Sequence, residues 1–509
     1  MKKIIYTLLI SGAVLCSSCN DWLNVTPKGQ VEAGELYTTS KGCNSALGGI
    51  YYTLTSSSLY GKELSYGAMD MLAQYWDVSK NASHKYYRLA GYEYKDVSAI
   101  TFFNDTWGNM YQAVTQCNAL LHYLPENRDQ IAYANLIEGE AYALRAFIHM
   151  ELFEMFGPVI QTKADLQKKA IAYRTEFDVK SQDFNTGEEV LNFAEKDLKK
   201  ALELMADDPI QRTDIGRKGD ANTSKLDLHE VLRQRGSRVN YFCALGLLAR
   251  LEQLRKNPDQ AYTYALRVMN ETKNIIALID KENNAPNTPL RDYNYSTEML
   301  GALYVNNLYD LTNDMFYMEE STGTSQSSIL IDANQYTVLQ NEIYGRKPDG
   351  AGTDNRLRYW FAKKSETGSA SYDFKKLHKA DAPQGLGPAY DPEIPIMRMA
   401  EIYYIACESN IGKDNTLALK YLNDVRRSRK LEDLERNYTS NEEATSDLKE
   451  LLIREIRKDM IGEGRFFLTC KRLFCPMYIK AGVIIQPSTA IFTFPIPDDE
   501  YEYTNNNKE

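Results

Sequence analysis

Apolar positions recur at three- and four-residue intervals through most of this chain, and the pattern fails in long stretches between. The strongest periodic segment is 138–156, where Ala141, Ala143 and Ala146 alternate with Leu144, Phe147, Ile148, Met150, Leu152 and Phe153. Two apolar stripes at helical spacing, with small residues among them, predict a helix covered on more than one side. Gly157 and Pro158 stop it, the glycine as a left-handed cap and the proline because it cannot extend the ladder. Further amphipathic helices are predicted at 41–55, 104–124, 188–205 and 448–460. Two segment pairs read as helical hairpins, 237–255 with 259–271 and 395–410 with 416–429. In the first, Asn257 as N-cap and Pro258 as first-turn residue make the turn, and Ala244, Leu245, Leu248 and Leu251 face Ala261, Ala265, Val268 and Met269. Such pairs are tetratricopeptide-like and stack with their neighbours into one core.

Four stretches lack this order: 60–99, 163–183, 209–229 and 281–391. The first and last are rich in aromatics, which argues for ordered, functional loops over disorder. Insertions between stacked repeats fall on one face, so that face is the expected binding face. A sugar ring stacks its C–H face on Trp or Tyr while amides or guanidinium groups fix its hydroxyls. Tyr75, Trp76 and Asn81 in the first stretch fit that description, with Tyr293, Tyr295, Phe316 and Tyr317 in the last as candidates for the opposite side. Trp22, Trp107 and Trp360 read as structural.

Arg145 sits within the apolar band of 138–156 and has Ala141 and His149 at its four-residue neighbours, so its partner must come from another helix. Arg398, Glu401 and Glu408 share the predicted 395–410 helix and read, with Arg145, as a buried structural ion network rather than a catalytic pair. Two glutamates on one apolar helix make a poor glycosidase cleft. The histidines show no paired spacing, and neither a GxSxG elbow nor a phosphate loop is present. No catalytic residue, metal site or cofactor is expected, and the chain reads as a non-enzyme.

Charge and cysteine usage narrow the partners. The net charge is −10, which disfavours nucleic acid and anionic polysaccharide as bulk electrostatic partners and leaves neutral ligands open. Lys2 and Lys3, an apolar run over 4–15 and Ser17–Ser18–Cys19 read as a lipoprotein signal peptide, 1–18, cleaved before a lipidated Cys19. Cys16 stands where a lipobox more often has leucine. Of the other six cysteines, four read as small buried hydrophobes, while Cys470 and Cys475 are close enough in sequence to bridge. The 36 tyrosines against 17 phenylalanines mostly pack helix pairs.

Several stretches carry a resemblance to one family. Glu140 ahead of LRA at 144–146, running into LFEMFGPV, resembles the signature helix of SusD/RagB outer-membrane lipoproteins. NDWLNVTPKGQ at 20–30, IPIMRMAEIYYIACES from 394, ALKYLNDVRRSR from 418, EGRFFLTCKRL at 463–473 and FPIPDDE at 494–500 are similar to further family segments, in family order, and TDNRLRYWF from 353 resembles a family strand or turn. The resemblance implies a mainly α single domain of about four tetratricopeptide-like hairpins with a loop-rich half. It divides the chain into the signal peptide, a lipidated tether at 19–32 docking through Trp22, Leu23 and Val25, and a domain at 33–509 whose parts are 33–280, an irregular insertion at 281–391, and 392–509. It implies a surface-facing outer-membrane protein, held by its lipid anchor only. That protein captures oligosaccharide for a SusC-like TonB-dependent transporter, with Trp76 in a loop similar to one that holds a stacking tryptophan. A peptide-binding member, or a scaffold that binds no small ligand, are the other readings.

Overall fold

The computed structural model describes residues 33–212, 230–273, 275–279, 292–316, 326–345, 353–364, 371–377, 392–480, 483–502, 504 and 506. Cys19, the tether and Tyr317 lie outside them. Among the described residues, the helices of twelve residues or more are α1 (Ser40–Leu54), α2 (Val97–Asn127), α3 (Ala134–Phe156), α4 (Gly187–Leu204), α5 (Tyr241–Leu254), α6 (Pro258–Glu271), α7 (Met399–Asn410), α8 (Asn415–Ser428) and α9 (Asn441–Asp459). They pair in sequence as α1/α2, α3/α4, α5/α6 and α7/α8, and α2/α3, α4/α5 and α6/α7 pack between pairs. These are the four stacked hairpins of a tetratricopeptide-like array, closed by α9 against α8.

Side chains at the helix starts set the boundaries. Thr39, Asp96, Asn240, Asp414 and Ser440 each accept a backbone N–H of the first turn, and Thr186 with Glu189 forms a full capping box. α2 and α9 each begin seven residues before their predicted starts. Val97 is 78% exposed, but Ala99, Phe102 and Phe103 already begin the buried stripe of α2 that continues in Trp107 and Met110, while α9 opens on polar residues with Ala444 alone buried in its first turn. In α3 every residue but Asn135 and Tyr142 is buried, which matches a helix covered on all sides. Gly139 lets α4 approach: a Cβ there would lie 2.7 Å from the Met205 side chain.

Two sequence expectations fail locally. Gly157 is extended, with φ −70°, rather than left-handed. It is glycine for space, since a Cβ would meet the Phe153 carbonyl oxygen at 2.5 Å, and Lys471 Nζ donates to the Met155 and Gly157 carbonyls. Residues 395–398, expected to open a helix, belong to β5 (Glu393–Arg398) instead. That strand pairs antiparallel with β1 (Met299–Tyr304), Ala302 opposite Pro395 and Leu303 opposite Ile394. Its partner lies some ninety residues upstream, so local periodicity could not reveal the pairing.

The insertion also holds a small sheet in the order β2 (Ile331–Asp332), β4 (Ser371–Phe374), β3 (Phe361–Lys363). Before β3, the RLRYW segment is a short helix, Asn355–Trp360, capped by Asp354, rather than a strand or turn. A final hairpin, β6 (Met477–Lys480) with β7 (Val483–Ile485), follows the helix Arg465–Leu473. All six cysteines of the described part are free and buried, Cys470 and Cys475 included. No described helix is long and apolar enough to cross a membrane.

A candidate ligand face where two excursions meet

The first excursion leaves α1, and the second is the insertion framed by β1 and β5; they meet along one seam. The Lys85 backbone N–H donates to the Gln326 carbonyl at 2.8 Å, Lys62 Nζ reaches Ser327 Oγ at 3.2 Å, and His84 Nε2 lies 3.1 Å from the Ser328 carbonyl. Deeper in, the Gln335 side chain accepts the Asp77 N–H and donates to the Tyr75 carbonyl. Burial draws Lys62 below the ordinary lysine range, partly countered by Glu63 and Asp314 nearby.

The predicted stacking residues mostly serve the seam from inside. Trp76 is 1% exposed, its ring 5.2 Å from Phe316 and 5.6 Å from Phe374, both in the insertion. It is therefore an apolar clasp between the excursions and offers no face to a sugar. Tyr75 is buried too, its hydroxyl donating to the Arg457 carbonyl and its ring against Phe466. Phe316 is 5% exposed. Tyr295, left-handed at φ 53°, is fully buried beneath the Arg429 guanidinium, 4.3 Å from its ring centre. Tyr293 is half-buried and its carbonyl accepts from Trp360 Nε1. Among the described candidates only Asn81 is exposed, in a turn where its side chain accepts the Ser83 N–H. The aromatic residues supply large apolar area, and holding two irregular segments together requires it buried.

The polar side chains beside the seam, all from the first excursion and α2, are not among the residues expected from the sequence. Beside it lies a cleft of about 230 Å³ bounded by Ser57, Ser58, Glu63, Lys85, Ser98 and Asp105, with Tyr86 and Phe102 as apolar wall. Glu63 accepts from Lys85 Nζ at 2.5 Å and from the Tyr86 hydroxyl at 3.1 Å. Hydroxyls, carboxylates and an ammonium group at one rim can both donate to and accept from sugar hydroxyls. No pattern marks these residues in sequence: Ser57, Ser58, Glu63 and Lys85 sit in irregular chain, and Ser98 and Asp105 on the polar face of α2.

The four residues expected to form one ion network are each ion-paired, but none pairs with another of the four. Arg145 pairs with Asp197 of α4 at 2.7 Å and donates to Asn118 of α2. Glu401 binds Arg250, which also reaches Glu151 of α3, and Glu408 binds Arg472. Arg398 ends β5 instead of sharing the α7 face, and belongs to a separate cluster with Glu298, Asp459 and Glu463. His149 in α3 accepts the Arg174 N–H and faces the Arg145 carbonyl, and burial lowers it to about 3, so it stays neutral.

Comparison with known proteins places this architecture. A SusD-like model described as starch-binding associating with outer membrane matches residues 51–217, and the SusD family model matches 349–508. A SusD superfamily protein from Bacteroides thetaiotaomicron is 19% identical, with 91% of this chain and 98% of that one covered, at a TM-score of 0.67. A putative sugar binding protein from Bacteroides vulgatus is 20% identical over 92% and 97%, at 0.63. A SusD-like carbohydrate binding protein from the same organism is 17% identical over 91% and 96%, at 0.63. No curated protein matches the chain. At these identities the structures speak for the fold, and the two matched models, in order and together covering most of the chain, show that it belongs to the SusD/RagB family.

Proposed function

We propose that this protein captures neutral oligosaccharide at the bacterial surface, holds it at the seam of the two excursions, and passes it to a TonB-dependent outer-membrane transporter. The observation that carries the reading is the seam, where two irregular segments far apart in sequence are joined beside a cleft rimmed by hydroxyls, carboxylates and Lys85. The carbohydrate- and sugar-binding descriptions of its structural neighbours point the same way. The lipoprotein-like start of the chain supports an anchored position, and capture followed by release needs no covalent step.

The reading is tested by titrating the full chain, in detergent, with a panel of neutral oligosaccharides and of peptides. Binding of neutral glycans is expected, weakened about tenfold, or about 1.4 kcal/mol, by Lys85→Ala. A blank glycan panel with peptide binding would overturn it. Transporter hand-off is checked by co-purification with the barrel protein from the native membrane, and its absence there would remove that step.

A further inference from the structure

A larger cleft, about 680 Å³, opens on another part of the surface, between the Leu339–Ile343 turn, α9 and β6. That volume falls within the roughly 300–1,000 Å³ of ligand-sized sites. Its apolar wall is Ile343, Ile453, Phe466, Pro476 and the half-exposed Tyr478. The wall also carries Arg457, only 5% exposed. Every other buried arginine in this part of the molecule is ion-paired: Arg356, Arg398, Arg426 and Arg429 all hold carboxylates. Arg457 holds none among the described residues. Its Nη2 donates to the Gln74 and Tyr478 carbonyls, Nε has no hydrogen-bond partner among the described residues, and the guanidinium otherwise lies 5.6 Å and 5.9 Å from the Phe466 and Tyr75 ring centres. A buried guanidinium without a counter-charge is costly, and its fork matches a carboxylate.

We propose that this cleft is a second binding site, for a sugar residue carrying a single carboxylate, with Arg457 receiving the acid and the half-exposed Tyr478 beside the ring. The other charges agree with one acid rather than many. Arg454 is already paired with Glu450, Arg436 with Asp447 and Lys458 with Glu455. Glu342 and Glu450 on the lining, and the chain's charge of −10, would repel a polyanion. Burial pulls the Arg457 guanidinium below its ordinary range, while Tyr75, Cys470 and Glu342 act the other way. A bound carboxylate would supply the missing counter-charge. The site shares no lining residue with the seam cleft and stands without that reading.

The test uses the full chain with pairs of oligosaccharides, each bearing one uronic acid, against the same compound with the carboxyl reduced to the alcohol. The acid form is expected to bind at least tenfold tighter to the wild type. Arg457→Gln should erase that preference. Ser446→Trp, an exposed rim position, should also erase it by filling the cleft without touching the core, and so covers the case that Arg457→Gln fails to fold. Equal affinity of the wild type for acid and alcohol forms overturns this proposal alone, as does a preference that survives both variants. Loss of neutral binding by the wild type bears only on the seam.

Discussion

The hairpin array and the insertion use buried charge in different ways. In the array, ion pairs join helices already packed by apolar stripes, as Arg145 joins α3 to α4 and Arg250 joins α5 to α3 and α7. In the insertion there is little regular structure to pack, and a single buried cluster does the joining. Arg356, Lys376, Arg398, Arg426, Arg429 and Lys458 surround Asp354, Glu298, Asp459, Glu455 and Glu463. Asp459 alone accepts from Arg356, Arg398 and Arg429, which hold its carboxyl well below the usual range. Apolar periodicity specifies the array, and charge specificity pins the irregular half to it.

The sharpest way to break that contrast is Asp459→Asn. It leaves three buried guanidinium groups short of a partner and should cost about 3–5 kcal/mol. Limited proteolysis should then cut within 292–377 before any hairpin helix; simultaneous cleavage would mean the two regions are not held differently. Next is Trp76→Ala, which empties the clasp between Phe316 and Phe374 and should cost about 3–4 kcal/mol in urea unfolding. Unchanged stability would return Trp76 to the ligand.

A smaller effect depends on pH. Asp70, in the turn Ala68–Leu72 of the first excursion, is fully buried, accepts the Gly462 N–H and is raised to about 8 by burial. Its folded-state value lies above the unfolded one, so the stability it contributes as a neutral acid is present below the ordinary carboxylate range. That contribution is lost as pH rises towards 8. Asp70→Asn should therefore gain little near pH 4 and about 2 kcal/mol or more at pH 8, read from urea midpoints at both. A gain that does not grow with pH would show that Asp70 is charged in the folded protein.

The array was readable because its signal is local. The stripe of Leu144, Phe147 and Ile148, the proline opening α6 and the small residues between stripes each act within a few turns of their own helix. The insertion was not, because its partners are remote. Arg426 and Arg429 resemble the solvated basic end of a helix in sequence, yet they are buried on Glu455, Glu298 and Asp459. Trp76 was found as an unusual residue in the right excursion, but exposure is a tertiary property, and its neighbours at 316 and 374 are more than two hundred residues away. Lys85, Glu63 and Asp105 carried no signal beyond lying in or beside an irregular stretch.

On the proposed function, polar groups beside the seam hold the ligand and the buried Trp76 does not touch it. The most direct test is a calorimetric titration of one neutral oligosaccharide into the wild type, Lys85→Ala and Trp76→Phe, the last keeping an aromatic ring in the clasp. Affinity about tenfold weaker for Lys85→Ala and unchanged for Trp76→Phe is the predicted result. Unchanged affinity for Lys85→Ala with loss for a folded Trp76→Phe would contradict it.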